Sequence, residues 1–217
     1  MLMPRVMPCL LLKNGALVKT VKFKDPGYIG DPINAIRIYN EKEVDELIFL
    51  DISATLEKRE PPYKVLSEIA SECFMPVTYG GGVRDVETIR KILSLGIEKV
   101  AINSYAVENQ EFIRVAADKF GSSTIVVSID ARKKMFGRYE VFIHGGKKST
   151  GLDPVEFASA MEAMGAGEIL LTAIDRDGTQ EGYDLDLIKK VTEAVNVPVV
   201  ACGGAGKLDD FRLAVKE

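Results

Sequence analysis

The chain has 217 residues, of which 47% are hydrophobic and 28% are charged, as in ordinary soluble proteins. Its net charge is −4, so no excess of positive charge favours nucleic acid as a partner. The amino terminus lacks the features of a signal peptide, and no apolar run is long enough to cross a membrane. The sequence therefore predicts a cytoplasmic protein with neither a nucleic-acid nor a membrane partner.

Cysteine and histidine usage limits the cofactor chemistry. Cys9, Cys73 and Cys202 are widely spaced in apolar surroundings, without the spacing of metal ligands, and His144 is the single histidine. One histidine cannot complete a zinc site with such cysteines. Reduced thiols, no metal and no cofactor are the prediction.

Short apolar runs alternate along the chain with segments of helical period. Predicted strands occupy residues 5–11, 46–52, 76–80, 98–103, 124–130, 168–174 and 198–202. Predicted helices occupy residues 31–44, 60–73, 85–95, 108–119, 153–164, 183–195 and 207–216. Asp85 and the Asp153-Pro154 pair suit the first turns of two of these helices. Apolar strands alternating with helices indicate a parallel sheet covered on both faces, and no linker divides the chain, so one domain over 1–217 is predicted.

The chain also repeats itself. Glu46-Leu-Ile-Phe-Leu aligns with Glu168-Ile-Leu-Leu-Thr, and Pro76-Val77 aligns with Pro198-Val199, both at an offset of 122 residues. Four βα units in each repeat predict an α/β fold of the (βα)₈ TIM barrel type, built from two half-barrels. Only seven strands are found before Glu217, so the expectation is a single barrel domain that lacks its last βα unit.

Two glycine motifs follow predicted strands: TYGGGVRD at 78–85 and ACGGAGKLDD at 201–210. Either motif alone is explained by a tight turn. Because both open a helix at positions related by the repeat, and because glycine lets backbone N–H groups approach an anion, we favour two phosphate sites. The segments INSYA (102–106) and IDRDGT (174–179) end other strands on the same predicted face.

The strands that end near Leu11 and Asp130 are partners under the repeat, yet they differ in chemistry. Asp130 ends an apolar strand, where burial would raise its pKa into a useful range; the alternative is a structural pair with Arg132 or Lys19. Asp51, Asp175 and Asp177 are acids of the same predicted face, and pairing with loop cations or backbone N–H groups explains them equally well. Charged residues also begin four strands: Arg5, Glu46, Lys99 and Glu168. From spacing alone, solvent-facing strand starts explain these four slightly better than a ring of paired charges.

At this point the sequence resembles a known family over nearly its whole length. RVMPCLLLKNG, DELIFLDISA, YGGGVRDVET, GAGEILLTAIDRDGTQEGYD and ACGGAGK together are similar to HisF, the cyclase subunit of imidazole glycerol phosphate synthase. The resemblance implies a HisH-like glutaminase partner on the amino-terminal face of the barrel, and ammonia that travels to a phosphorylated small molecule at the opposite face. It also implies an ammonia gate and a phosphate-binding set. The gate is Arg5, Glu46, Lys99 and Glu168; the phosphate-binding set is Gly82, Asn103, Ser104, Gly178 and Gly204.

One departure from the family pattern concerns catalysis. The resemblance implies two catalytic aspartates, of which the second matches Asp130 and the first falls on Leu11. Leucine can neither donate nor accept a proton, so the cyclase machinery is half absent; Asp51 or Asp177 could substitute only from a displaced position. The stretch LLLKNGALVKTVKFKDPGYIGDPINAIRIYNEKEVDELIFLDI further resembles a HisF-like subgroup associated with glycosyl amidation in surface-polysaccharide biosynthesis.

Three functions remain open. The favoured one is an ammonia-channel subunit that works with a HisH-like glutaminase and an N-acetyl-sugar amidotransferase. The second is a true cyclase subunit of histidine biosynthesis. The third, a sugar-phosphate isomerase of the same barrel class, is weakened because its reaction also needs an acid where Leu11 stands.

Overall fold

Strands and helices alternate along the chain. The structure is a computed structural model that describes residues 4–216. Its strands are β1 Cys9–Lys13, β2 Ala16–Val21, β3 Lys24–Gly30, β4 Leu47–Asp51, β5 Val77–Gly80, β6 Lys99–Ile102, β7 Ile125–Lys133, β8 Tyr139–Ile143, β9 Lys148–Ser149, β10 Glu168–Ala173 and β11 Val199–Cys202. Its α-helices are α1 Pro32–Glu41, α2 Ala54–Glu57, α3 Tyr63–Glu72, α4 Val86–Ser94, α5 Ser104–Glu108, α6 Glu111–Phe120, α7 Pro154–Ala163, α8 Leu185–Thr192 and α9 Leu208–Ala214. All seven predicted strands and all seven predicted helices are present.

The contact pattern divides the chain into two compact units. The first comprises residues 4–19 and 27–102, and the second comprises residues 20–26 and 103–216. In the first unit, β1, β4, β5 and β6 pair in parallel in that order, and β2 pairs antiparallel with β1. In the second unit, β7, β10 and β11 pair in parallel, and β8 and β9 add antiparallel strands to β7. Both units are therefore α/β structures built on parallel strands, as predicted.

The predicted helix starts are confirmed at two aspartates. Asp85 caps α4 by accepting from the backbone N–H of Thr88 at 2.7 Å, and Asp153 caps α7 by accepting from Val155 at 2.8 Å, with Pro154 in the first turn. Such caps satisfy backbone donors that have no partner inside the helix. They fix where each helix begins relative to the strand before it.

Each unit buries its apolar side chains between its own strands and helices. In the first unit Phe49 and Tyr79 are fully buried, together with Ile89 and Ile92 of the strongly amphipathic helix α4. In the second unit all six residues of β10 are buried. Strands covered on both faces account for their near-continuous apolar sequences. No helix within residues 4–216 is both long and apolar enough to span a membrane.

The repeat of 122 residues is visible in the strands. β5 covers residues 77–80 and β11 covers residues 199–202, so the two strands are separated by the predicted offset at both ends. The same offset relates β4 in the first unit to β10 in the second. The two units therefore carry equivalent elements.

Candidate functional site

Asp130 lies in the second half of β7, beside the parallel strand β10. The residue is in register with Thr172 of β10 and with Phe142 of β8. Its Oδ2 accepts a hydrogen bond of 3.2 Å from Nδ2 of Asn103, which also donates to the carbonyl of Ser128 at 2.9 Å. Asn103 thereby holds the carboxylate with an uncharged partner rather than with a cation.

The surroundings of Asp130 change its acidity. Burial raises the pKa of Asp130 to about 7; the Asn103 hydrogen bond works against the rise, and the charge of Asp177 adds to it. The alternative pairing with Arg132 does not occur, because Arg132 faces Asp175 at 3.8 Å and stacks over the ring of Phe142. Burial therefore brings the pKa of this carboxyl group toward the range that suits proton exchange near neutral pH.

The other acids are engaged in structural contacts. Asp51 accepts from Nη2 of Arg59 at 2.7 Å and from the backbone N–H groups of Ser53 and Ala54, each at 3.1 Å. Asp175 accepts from the backbone N–H of Lys133 at 2.9 Å. Because the Asp51 carboxylate already accepts from Arg59 and from the backbone of the turn after β4, its role in the structure is to hold these groups in place.

Asp177 anchors an arm made of residues 20–26. Its Oδ2 accepts from the Thr20 hydroxyl at 2.7 Å and from the Phe23 N–H at 3.3 Å, and its carbonyl accepts from the Lys22 N–H at 2.8 Å. Gly178 next to it has φ +69°, and any Cβ there would collide with the carbonyl oxygen of Thr20. This anchor was not predicted, because no local sequence pattern links two residues 157 positions apart.

Leu11 occupies the middle of β1 in the first unit. It is in register with Leu50 of β4 and with Val18 of β2, and its side chain is half-buried between the buried Leu10 and Leu12. The position has apolar neighbours in both partner strands. Residue 11 itself, a leucine, cannot transfer a proton.

The two glycine motifs adopt the same geometry in their respective units. A Cβ on Gly81 would lie 2.6 Å from the carbonyl oxygen of Asp51, and a Cβ on Gly203 would lie 2.9 Å from that of Ala173. Their neighbours Gly82 and Gly204 both have positive φ, +71° and +108°. Only glycine allows the backbone to pass so close to the preceding strand end. The turns are therefore structurally required, whether or not they bind an anion.

Gly81→Ala is expected to destabilise the chain by roughly 2–4 kcal/mol, because φ is +126° and the new methyl would overlap Asp51. The matched control is Gly27→Ala, where a Cβ meets nothing within 4 Å and the change should be within about 0.5 kcal/mol. Urea unfolding of the three proteins measures both values. Equal midpoints for the Gly81→Ala and Gly27→Ala variants would contradict the steric account.

The other predicted phosphate-binding residues are distributed over both units. Gly82 is in the first unit, where its N–H donates to the Thr55 hydroxyl at 3.3 Å. Asn103 and Ser104 open α5 in the second unit, and the Ser104 Oγ accepts from the His144 N–H at 3.0 Å. The Ser104 hydroxyl also donates to the Asn103 side-chain oxygen at 3.1 Å, so these two side chains position each other.

Three of the four predicted gate residues meet in the first unit: Lys99 begins β6, Glu46 immediately precedes β4, and Arg5 lies before β1, which begins only at Cys9. Glu46 accepts from Nζ of Lys99 at 3.1 and 3.0 Å and pairs with Arg5, while only 5% of Glu46 is exposed. Glu168 begins β10 in the second unit and is also 5% exposed. One buried carboxylate shared by two cations is a compensated arrangement, so it costs little despite its burial.

Among residues 4–216, no three His, Cys, Asp or Glu side chains are grouped as metal ligands. The sequence reasoning missed the Arg59 partner of Asp51 and the 20–26 arm on Asp177. A β4 acid followed eight residues later by arginine is a weak local signal for the first contact. The second contact has no such signal.

Comparison with known proteins gives the class. The chain belongs to the histidine biosynthesis protein family, whose model matches residues 5–217. A provisionally named imidazole glycerol phosphate synthase subunit hisF2 of Pseudomonas aeruginosa is 55% identical over 207 residues, which cover 95% of this chain and 82% of that protein. A provisionally named subunit HisF of Leptospira interrogans is 48% identical over 217 residues, covering 100% of this chain and 85% of that protein. The predicted resemblance to HisF is confirmed.

Proposed function

We propose that the chain is the HisF-type subunit of an imidazole glycerol phosphate synthase with a (βα)₈ barrel architecture. In this function it takes ammonia released by a HisH-like glutaminase and uses it to close an imidazole ring on a phosphorylated ribonucleotide. The observation that carries the proposal is Asp130, a carboxyl group of β7 whose pKa burial raises to about 7, in a chain about half identical to proteins of that name. The relatives' names favour this function over the sugar amidation predicted first.

Asp130 would supply the proton transfers. A group with a pKa of about 7 is divided between its two protonation states at neutral pH, so it can accept a proton from the incoming amine and return one to a leaving oxygen. Asn103 would orient it, since the amide donates to Oδ2 and so directs Oδ1 elsewhere. One phosphate group of the substrate would contact the glycine turn at Gly82 in the first unit. The other would contact Gly178 and Gly204 in the second unit, which also contains Asn103 and Ser104.

Ammonia would enter past the charges at the strand starts. Arg5, Glu46 and Lys99 form a cluster of two cations around one carboxylate that can part when one side chain rotates, and Arg5 is the most exposed of the three. A small neutral molecule can pass such a cluster at little cost in free energy, whereas an ion can pass only by disrupting the ion pairs. The repeat relates Glu168 to Glu46, so we propose that Glu168 has the corresponding role at the start of β10 in the second unit.

A second candidate function is favoured by one observation, Leu11. A subunit that lacks the first catalytic carboxylate could still conduct ammonia and hand it to an N-acetyl-sugar amidotransferase. That enzyme would convert an acetamido group into an acetamidino group during surface-polysaccharide biosynthesis. In this function Asp130 would have no ring-closing role.

The two functions are separated by an assay with the purified chain, ammonium chloride and the ribonucleotide substrate. Ring closure by the unaltered chain supports the cyclase subunit. No ring closure, combined with sugar amidation when the amidotransferase is added, supports the second function. Absence of both products would contradict both proposals.

Leu11→Asp is expected to raise ring closure by at least about tenfold, because it restores a second group for proton transfer, and such groups contribute about 10²- to 10⁴-fold. Leu11→Asn is the matched control, since it has the same shape but cannot exchange protons near neutral pH. Steady-state rates of the three proteins decide the matter. Equal gains for Asp and Asn would mean that only space, and not proton transfer, limits the unaltered chain.

A further inference from the structure

The hairpin between β7 and β8 ends in an exposed apolar tip. Lys133 pairs with Tyr139 at the last register position, and the Lys134 N–H donates to the Arg138 carbonyl at 2.7 Å to close the turn. Met135 and Phe136 lie at the turn and are 78% and 94% exposed. Two large apolar side chains thus project into solvent next to each other.

Nothing in the fold accounts for phenylalanine at position 136. Its φ is +64°, a conformation that is unfavourable for a bulky side chain and that glycine or asparagine would adopt more readily. Its ring gains no burial in return. Phe136 thus combines an unfavourable backbone conformation with an unfavourable exposure of its ring to solvent. This combination points to a contact with a partner outside the chain.

Basic side chains surround the tip. Lys133, Lys134 and Arg138 are all exposed, and Arg132 precedes them on β7. Lys134 pairs with Glu140 at 3.2 Å, and Lys133 lies over the ring of Tyr139, with its Nζ 5.3 Å from the ring centre. The chain as a whole is acidic, so this concentration of cations is local.

We propose that this hairpin tip, formed by Lys133, Lys134, Met135, Phe136 and Arg138, docks on an anionic lipid surface. Met135 and Phe136 enter the interfacial region of the bilayer, and the cations face the lipid headgroups. Apolar insertion and basic charge together give reversible attachment, whereas either alone is marginal. The absence of an apolar run long enough to span a membrane bears on crossing it, not on contact of this kind.

A lipid surface fits the tip better than a protein partner does. The tip is convex and offers only two apolar side chains, far less than the area that a stable protein interface buries. A protein would also need an acidic pocket of matching shape. A bilayer accepts a protruding side chain of any shape, and its negative charge complements the cations.

The test is co-sedimentation of the full chain with vesicles of phosphatidylcholine alone and with vesicles containing 40% phosphatidylglycerol. Binding is expected only to the anionic vesicles, and it should weaken as salt shortens the range of the charges. Phe136→Ser should weaken it about tenfold, the effect of leaving one large apolar side chain out of the membrane. A double variant, Lys133→Gln with Arg138→Gln, should weaken it to a similar degree.

Phe74→Ser is the matched control. Phe74 is another exposed phenylalanine, 87% accessible, but no lysine or arginine lies between residues 65 and 83 of the sequence. Its loss should leave vesicle binding unchanged, and thermal melting of every variant should match the unaltered chain. The proposal is overturned by equal binding to both vesicle types, by no binding to either, or by equal losses for the Phe74 and Phe136 variants. Binding to an acidic leucine-containing peptide but not to vesicles also overturns it, in favour of a protein partner.

Discussion

Asp130→Asn is expected to lower ammonia-dependent turnover by about 10²- to 10⁴-fold, the usual contribution of a general acid or base. Asparagine keeps the shape of the side chain and its hydrogen bond with Asn103, but it cannot exchange a proton. The measurement is the steady-state rate with saturating ammonium. Asp118→Asn, which removes an exposed carboxylate of α6, is the control and should leave the rate unchanged.

Asp130→Asn is also expected to change the free energy of unfolding, in the stabilising direction and by an amount that depends on pH. The folded-state pKa of Asp130 is about 7, above the value of about 3.9 in an unfolded chain. The folded state therefore holds this proton more tightly, and the stability that it contributes below pH 4 is lost as pH rises toward 7. At pH 8 the cost is at most about 4 kcal/mol, from roughly three pKa units.

Asp130→Asn should thus be more stable than the unaltered chain at pH 8 and similar to it at pH 4. Chemical unfolding at the two pH values checks the sign. For the rate, a general base with this pKa predicts turnover that rises with pH and levels off above about 7. A variant that is equally active, or that is less stable at pH 8, would show that Asp130 is an ordinary structural carboxylate.

Lys99→Ala is expected to uncouple glutamine hydrolysis from use of the ammonia. The change removes one of the two cations that Glu46 contacts and widens the space at the strand starts, so ammonia can escape before it reaches the acceptor. The ratio of glutamate formed to acceptor converted should rise well above the equal stoichiometry of a sealed path. With ammonium chloride instead of glutamine the variant should retain normal turnover.

Loss of the Lys99 contact should also destabilise the chain, by roughly 1–3 kcal/mol, because the buried Glu46 carboxylate keeps Arg5 but loses its second partner. Lys119→Ala, at an exposed position of α6, is the control for both measurements. If the Lys99→Ala complex keeps the same ratio of glutamate formed to acceptor converted, the cluster has only a structural role and does not guide ammonia.

The sequence predicted the parallel strands well because burial on both faces imposes long apolar runs. β10 is buried at every position and β7 at its first five, and both strands were predicted from their continuous apolar sequences. β3 was missed because it combines two charged residues, a proline and two glycines with the exposed Tyr28 and Ile29, so no buried apolar pattern marks it as a strand. The extension of β7 from Asp130 to Lys133 depends on pairing with β8, which is a property of the hairpin rather than of the strand.

Long-range pairing set the limit for the site. Spacing alone favoured solvent-facing strand starts, and only the resemblance to HisF indicated that Arg5, Glu46 and Lys99 belong together; these three side chains do meet. The partner of Asp130 was not foreseen, because Asn103 reads equally well as a phosphate ligand until its amide is seen 3.2 Å from the carboxylate. The choice among possible partners is made by tertiary packing, which a single sequence does not display.

The most direct test of an ammonia path is an isotope competition in the complex with a HisH-like glutaminase. Glutamine labelled with ¹⁵N in its amide is supplied together with excess unlabelled ammonium, and the acceptor is whichever one the chain converts with ammonium alone. The ¹⁵N content of the product is then measured by mass spectrometry. A path through the chain predicts a product labelled nearly as fully as the glutamine, with the label diluted in Lys99→Ala. A product diluted to the isotope ratio of the solution in the unaltered complex would contradict the account.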